Sequence, residues 1–347
     1  MTAAPVPLEA PFHLPESADA GPIEADGHGG YSDVSDRYPA FASFAATLGD
    51  TSLMPAPAQG GGAAILAKCE WENPAGSIKD RVAYALLAQA VRDHGDRPLS
   101  ELRILEYSGG NLARSLSQLC RALGISSRLV LSSASPKSLL DDLAANGSLV
   151  DLVDRELGFL EVVRTAHAIA AKEPDWTLLY QHRNPANLWC HQRTTGAEIV
   201  RQLAGRTPTA WVASIGTGGT LVGVYRALRR SHPTVRLIGV TPQELPYGSA
   251  RPPNGLPKYA GSGGFGNGIR QPFVTLHDAQ VEHHAVSYPR CLEAMAEMYR
   301  RTGVRIGSSA AANWLIARRI AAELPRPAVV VTVFPDAGTP EEWERIS

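Results

Sequence analysis

Asn73-Pro-Ala-Gly-Ser-Ile-Lys79-Asp-Arg81 is the stretch on which the reading of this chain turns. It puts one lysine in a Gly/Pro-rich turn, directly ahead of a helical pattern in which Val82, Leu86, Ala90 and Val91 recur. Ser77 with Asp80 three residues on has the form of a capping box, so the turn is predicted to feed straight into that helix. A lysine so placed can have its amine at the floor of a cleft. Desolvation there lowers its pKa and makes it nucleophilic, which is what a Schiff-base lysine needs. A lysine at a helix start is more commonly a solvated surface residue, and the rest of the chain has to decide between the two.

The chain has 347 residues, enough for a large core and two domains. Its 44% hydrophobic and 19% charged residues describe an ordinary enzyme-like composition. A net charge of −1 offers no field for nucleic acid or an anionic membrane surface. No apolar run approaches the ~18 residues of a membrane span. Met1–Ala20 carries Glu9, Glu16 and Asp19, no lysine or arginine and no apolar core, so it does not read as a signal peptide. The four cysteines, Cys69, Cys120, Cys190 and Cys291, are widely spaced without C-x-x-C and read as reduced thiols of a cytoplasmic protein. The ten histidines form no H-E-x-x-H or Cys/His ligand set; His283-His284 and His182…His191 come nearest, and no metal site is expected.

Residues 1–45 are rich in Pro, Ala, Gly, Asp and Glu, and are expected to be an extension, partly disordered or wrapped on the surface. From about Thr51 onward, strand-like runs alternate with helical stretches. The runs include Arg103–Tyr107, Arg128–Leu131, Leu149–Val153, Trp176–Tyr180, Trp211–Ser214, Arg236–Val240 and Ala328–Phe334. Helical stretches include Leu112–Leu123, closed by Gly124, then Phe159–Ala171, His191–Leu203, Leu221–Arg230, Pro289–Thr302 and Ala310–Glu323. Such alternation predicts an α/β fold of largely parallel sheets covered on both faces. Thr241–Arg270 is crowded with Gly and Pro and reads as a long functional loop.

Gly216-Thr-Gly-Gly-Thr220 follows one strand and opens a helix. Its glycines let backbone amides close on an anion, the threonines add hydroxyl donors, and the helix N-terminus favours negative charge. It fits neither a Walker loop nor G-x-G-x-x-G, and a plain tight turn is the competing reading. Glu106-Tyr-Ser-Gly-Gly-Asn111 also joins strand to helix, with Ser108 and Asn111 as donors or merely as caps. Asn184-Pro-Ala-Asn187, Thr194-Thr195-Gly196 and Gly307-Ser308-Ser309 stand at further helix starts.

In this order, with Phe334-Pro-Asp336 at the end, the motifs resemble the O-acetylserine sulfhydrylase (cysteine synthase) and cystathionine β-synthase family. These are fold-type II enzymes of pyridoxal phosphate, and the likeness runs from about Thr51 to Ala337. The resemblance implies two doubly wound domains, one over residues 46–185 carrying the Schiff-base lysine, the other over 186–347 carrying the phosphate loop. It implies that Lys79 forms the internal aldimine and later moves the Cα proton, and that Asn111 bonds the ring hydroxyl. Gly216, Thr217, Gly218, Gly219 and Thr220 would bind the phosphate, and Ser308 would face the pyridine nitrogen. A serine there, unlike a carboxylate, would leave the ring essentially neutral, so that loss of a β-substituent competes well. A homodimer acting on a small amino acid is the family expectation.

The departures concern the substrate. Where the family's carboxylate-binding loop reads T-S-G-N-T-G, this chain has Gly109 and Leu112 in place of two hydroxyl residues; Ser108, the amides of Gly109 and Gly110, and Gln181 remain. The expected reaction is β-elimination and β-replacement on an O-activated serine or a cysteine-type amino acid through an aminoacrylate. The altered loop points to a specialised role, such as building a non-protein amino acid with a nucleophile other than sulfide. Two alternatives stay open: a lyase, or a β/γ-reaction on an S-activated amino acid, and a catalytically weak binding or regulatory paralogue.

Overall fold

The computed structural model describes residues 12–14, 30–58, 60, 62–245, 247–248 and 269–346. Its strands are β1 (Leu53–Ala56), β2 (Ala64–Cys69), β3 (Arg103–Tyr107), β4 (Ser126–Ser132), β5 (Leu149–Val153), β6 (Trp176–Leu178), β7 (Pro208–Ser214), β8 (Arg236–Pro242), β9 (Val281–Val286) and β10 (Val329–Phe334). Six form one sheet in the order β1-β2-β10-β7-β8-β9, and four form a second in the order β5-β4-β3-β6. Every neighbouring pair is parallel except β1–β2. The composition of β10, Val329-Val-Val-Thr-Val-Phe334, shows why: it is buried along its whole length, so both faces need cover. Parallel neighbours require long crossovers, and these supply the helices that give it.

The helices are α1 (Ser32–Arg37), α2 (Pro39–Ala45), α3 (Lys79–His94), α4 (Asn111–Leu123), α5 (Lys137–Ala145), α6 (Phe159–Lys172), α7 (Pro185–Cys190) and α8 (Gly196–Gln202). They continue with α9 (Gly219–Ser231), α10 (Pro272–Thr275), α11 (Tyr288–Thr302), α12 (Ser308–Glu323) and α13 (Pro340–Glu344). Gly124 closes α4 in the left-handed conformation, φ 67°, as predicted. The helix expected over His191–Leu203 is a longer, interrupted one. Asn184 caps α7 by accepting from Ala186 N, and a π-turn over His191–Thr195 joins α7 to α8.

The chain enters the larger sheet with β1 and β2, leaves it for β3–β6, and returns at β7. The exits of β2, β10 and β7 therefore lie along one edge, where open α/β sheets hold ligands. A buried ionic cluster locks that edge: Arg81 pairs with Glu70 at 2.7 Å and Glu198 at 2.6 Å, and Lys68 pairs with Glu198 at 2.7 Å. It joins β2, the start of α3 and α8.

Of the N-terminal extension, α1 and α2 pack on α3, with Val34 and Phe41 buried in one cluster with Tyr84 and Leu86. Residues 1–11 and 15–29 lie outside the described residues, as do 246 and 249–268 of the predicted long loop. Among the described residues no helix is long and apolar enough to cross a membrane.

Candidate active site

Lys79 opens α3, and the residue before it is fastened to the end of β10, Ile78 N donating to Pro335 O at 2.9 Å. The capping box predicted for Ser77 and Asp80 does not form. The helix starts two residues after Ser77, and Asp80 turns back to accept from Ala75 N at 2.6 Å and from Ser115 Oγ. Asp80 thus braces the turn against α4, and burial raises its pKa to about 6. Desolvation pulls the Lys79 ammonium down to about 8, opposed by the nearby Asp336 carboxyl. Lys79 and Ile78 share a cleft with Gly216, Thr217, Gly218, Thr220 and Pro335. A roomier cavity, about 420 Å³, lies by Tyr247 and His283 and contains none of the predicted site residues.

The geometry of the Gly216–Thr220 loop suits an anion. Gly218 has φ +83°, a left-handed conformation that favours glycine, and leads into α9. A Cβ on Gly219 would stand 2.3 Å from Asn187 Oδ1, so only glycine fits. Thr217 Oγ1 accepts from Asn187 Nδ2 at 3.0 Å and from Gly219 N at 3.2 Å, which leaves its hydrogen to donate. Thr220 Oγ1 lies 3.1 Å from His191 Nε2, whose Nδ1 lies 3.0 Å from Thr195 Oγ1. Burial holds His191 neutral, well below the usual histidine pKa. The tautomer sets the direction of both bonds: a proton on Nε2 would make His191 the donor to Thr220 and turn the threonine hydrogen outward.

In the Ser108–Leu112 loop, Ser108 Oγ accepts from Gly110 N at 3.1 Å and Ala113 N at 3.3 Å, tying strand exit to helix start. Gly109, Gly110 and Asn111 are half-buried, whereas Leu112 is in the core: its side chain is 1% exposed, packed with Ile104, Leu116 and Val82. As the second residue of α4 it falls on the helix face that packs inward, so a ligand meets only its backbone. Gln181 is buried and bound to the loop's strand, Nε2 donating to Tyr107 O at 2.7 Å. Its backbone N donates to Glu106, a carboxyl that burial raises to about 8. Tyr107 Oη lies 2.8 Å from His182 Nδ1, and burial followed by the Lys79 charge pulls His182 down to about 3.

Asn111 Nδ2 donates to Asp336 Oδ2 at 2.7 Å, and the Asp336 carboxyl is near enough to Lys79 to act on its charge. Ser308, the first residue of α12, is buried and donates to Glu342 Oε1. Ser309 Oγ is buried with no partner among the described residues.

The model of the family described as "Pyridoxal-phosphate dependent enzyme" matches residues 45–336. The chain is a pyridoxal-phosphate dependent enzyme. Within that family it is related to the cysteine synthases: it is 30% identical to a cysteine synthase of Staphylococcus aureus over 79% of this chain and 86% of that one. It is also 30% identical to N-(2-amino-2-carboxyethyl)-L-glutamate synthase of Ralstonia nicotianae, over 80% of each chain. Among solved structures, the O-acetylserine dependent cystathionine beta-synthase of Helicobacter pylori superposes with a TM-score of 0.76 at 27% identity, covering 84% of this chain and 94% of that one. The fold is that of the fold-type II pyridoxal phosphate enzymes.

The residues present suit the cofactor on their own geometry. An amine with a lowered pKa faces, across one cleft, a loop whose hydroxyl hydrogens and helix N-terminus suit a phosphate. Sequence reasoning missed three features of this pyridoxal-phosphate enzyme's site. The Tyr107–His182 contact and the Asn111–Asp336 bond join segments far apart in the chain, so no local spacing announces them. Glu342 had a readable signal, the Thr339-x-x-Glu342 capping box, but nothing local to say that its carboxylate reaches Ser308.

Proposed function

We propose that this enzyme carries out β-replacement on an O-activated serine, with an amine or another nucleophile in place of sulfide. Bound pyridoxal phosphate supplies the electron sink that makes the Cα proton acidic and the β-substituent a leaving group. Lys79 is the residue proposed to hold the cofactor and to move the Cα proton, a role its lowered pKa suits near neutral pH. Thr217, Thr220 and the amides of Gly216, Gly218 and Gly219 are proposed to hold the phosphate, Asn111 the ring hydroxyl, and Ser308 the ring nitrogen. Ser108, whose hydrogen is left to donate, and the Gly109 amide are proposed to take the substrate carboxylate, the Gly110 amide being held by Ser108 Oγ. A homodimer belongs to the same reading.

The observation that carries the specialisation is the Ser108–Leu112 loop. Of the two hydroxyls missing there, the one at Gly109 carries the reading, since Leu112 packs into the core and its position offers a ligand no side chain. The relative from Ralstonia nicotianae supports the choice of nucleophile, because its named product has a 2-amino-2-carboxyethyl group on a glutamate nitrogen.

Purified protein should be yellow, and borohydride should fix the cofactor on the peptide containing Lys79. Turnover of O-acetylserine should then be compared with sulfide and with a panel of amino-acid amines. Higher kcat/KM with an amine supports the proposal. Efficient use of sulfide alone makes this an ordinary cysteine synthase, and release of pyruvate whatever nucleophile is added makes it a lyase.

A further inference from the structure

Phe12 packs on the Gly216–Thr220 loop at one remove, through two supports of that loop. Its ring meets Phe273 edge-on, with centroids 5.2 Å apart, and the Arg183 guanidinium lies over the same ring, 5.4 Å from its centroid. Phe12 and Leu14 are half-buried against the core cluster that holds Phe273, Val274, Leu188 and Leu221. Phe273 and Val274 are fully buried residues of α10, and α10 closes on the loop. A Cβ at Gly218 would stand 2.5 Å from Val274 Cγ2 and 3.6 Å from Phe273 Cβ. Arg183 belongs to the turn ahead of α7, its N donating to Tyr180 O at 3.0 Å. The next residue, Asn184, caps α7, and α7 carries Asn187, which donates to Thr217 Oγ1 and to Gln181 O. One ring thus touches α10, which backs Gly218, and the turn into α7, which holds Thr217.

We propose that Phe12 is a positioning residue for the cofactor's phosphate: clamped between Arg183 and Phe273, it holds α10 and the turn before α7 together and keeps the Gly216–Thr220 loop in the shape that suits an anion. The inference rests on the reading of that loop given above. An aromatic ring that merely covered the core would add stability and act on every ligand alike. A ring that acts through Gly218 and Thr217 acts on the phosphate alone. Such coupling is reciprocal, so the bound phosphate should hold Phe12 in place as firmly as Phe12 holds the loop.

The test compares pyridoxal phosphate with pyridoxal, which lacks the phosphate, by titration of the full-length apoprotein. Phe12→Ala should weaken pyridoxal phosphate by roughly fivefold or more, the lower end of an ordinary coupling, and leave pyridoxal unchanged. Phe12→Tyr keeps the ring and should bind both as wild type does. In wild type, chymotrypsin cleavage after Phe12 should be slowed by pyridoxal phosphate and not by pyridoxal, a readout that needs no variant. Equal affinity of Phe12→Ala and wild type for pyridoxal phosphate overturns the proposal. So does an equal loss for both ligands, which would make Phe12 a structural residue only. Cleavage indifferent to pyridoxal phosphate overturns it even if the alanine variant fails to fold. Thr217→Val reports on the reading beneath. If it too binds pyridoxal phosphate as wild type does, the loop does not hold the phosphate and both fall; if it alone loses affinity, only the role of Phe12 falls. A protein that binds no cofactor overturns the proposed function itself.

Discussion

Asn111 and Asp336 lie 225 residues apart in the chain, yet their side chains meet at 2.7 Å. The bond ties the exit of β3, in the smaller sheet, to the exit of β10, in the larger, with the Asp336 carboxyl near enough to act on the Lys79 charge. Burial raises the Asp336 pKa, and the bonds from Gly338 and Asn111 oppose it.

Asp336→Ala leaves the Asn111 amide and Gly338 N without their acceptor. Unpaired buried donors cost about 1–3 kcal/mol, so the melting temperature should fall. The variant also removes an anion that favours the Lys79 ammonium, so the midpoint of cofactor attachment against pH should move down. An unchanged midpoint would show that Asp336 does not act on Lys79.

Lys79 gives the apoprotein a pH signature. Its pKa is about 8 folded against 10.5 unfolded. Between those values the unfolded chain binds more protons, so stability rises with pH; below about 8 both states are protonated and the full penalty stands. Lys79→Met should therefore be the more stable apoprotein at pH 7, by at most about 3 kcal/mol, and the difference should vanish as pH approaches the unfolded value. Denaturant melts of both proteins across that range check it; a methionine variant no more stable at neutral pH refutes it.

His191→Phe removes the partner of Thr220 Oγ1 without touching the cleft. If the histidine directs the threonine hydrogen to the phosphate, cofactor affinity should fall roughly tenfold or more, the worth of one hydrogen bond to a charged group. Thr220→Val should lose a similar amount, and the double variant little beyond either one. Additive losses would mean that His191 acts elsewhere.

Two glycines separate cradle from loop. Gly219→Ala drives a Cβ onto Asn187 Oδ1 and should cost about 1–3 kcal/mol together with cofactor binding. Gly110→Ala, whose Cβ meets nothing within 4 Å, should fold as wild type. Thermal melts and cofactor titration distinguish them.

Restoring hydroxyls to the carboxylate loop should work at one position only. Gly109→Ser adds a donor at a half-buried loop position and should raise kcat/KM for O-acetylserine with sulfide by roughly fivefold, as one bond of about 1 kcal/mol implies. Leu112→Thr removes a core side chain and should cost roughly 2–4 kcal/mol with no gain in rate. A rate gain from the threonine would show that Leu112 faces substrate after all.

The alternation of short apolar runs with helical periods was enough by itself to determine parallel sheets, because a strand buried on both faces cannot alternate polar and apolar residues. The glycine turn of Gly216–Thr220 and the turn before Lys79 were also legible alone, since tight turns restrict which residues fit locally. The direction of side chains at helix starts was not. Leu112 reads as a neighbour of the substrate from its place beside Asn111, but the packing of α4 on α3 turns it inward. Ser77 and Asp80 have capping spacing, yet a buried contact with Ser115 draws the carboxylate away. Ser308 reads as an ordinary hydroxyl until α13 folds back and takes its hydrogen. Each of these depends on a partner from another element, and the energy of a buried hydrogen bond or of core packing outweighs a local preference of about 1 kcal/mol. Local sequence thus determined the sheets and the glycine turn that opens α9, and only the tertiary structure decided which way the polar groups around Lys79 are wired.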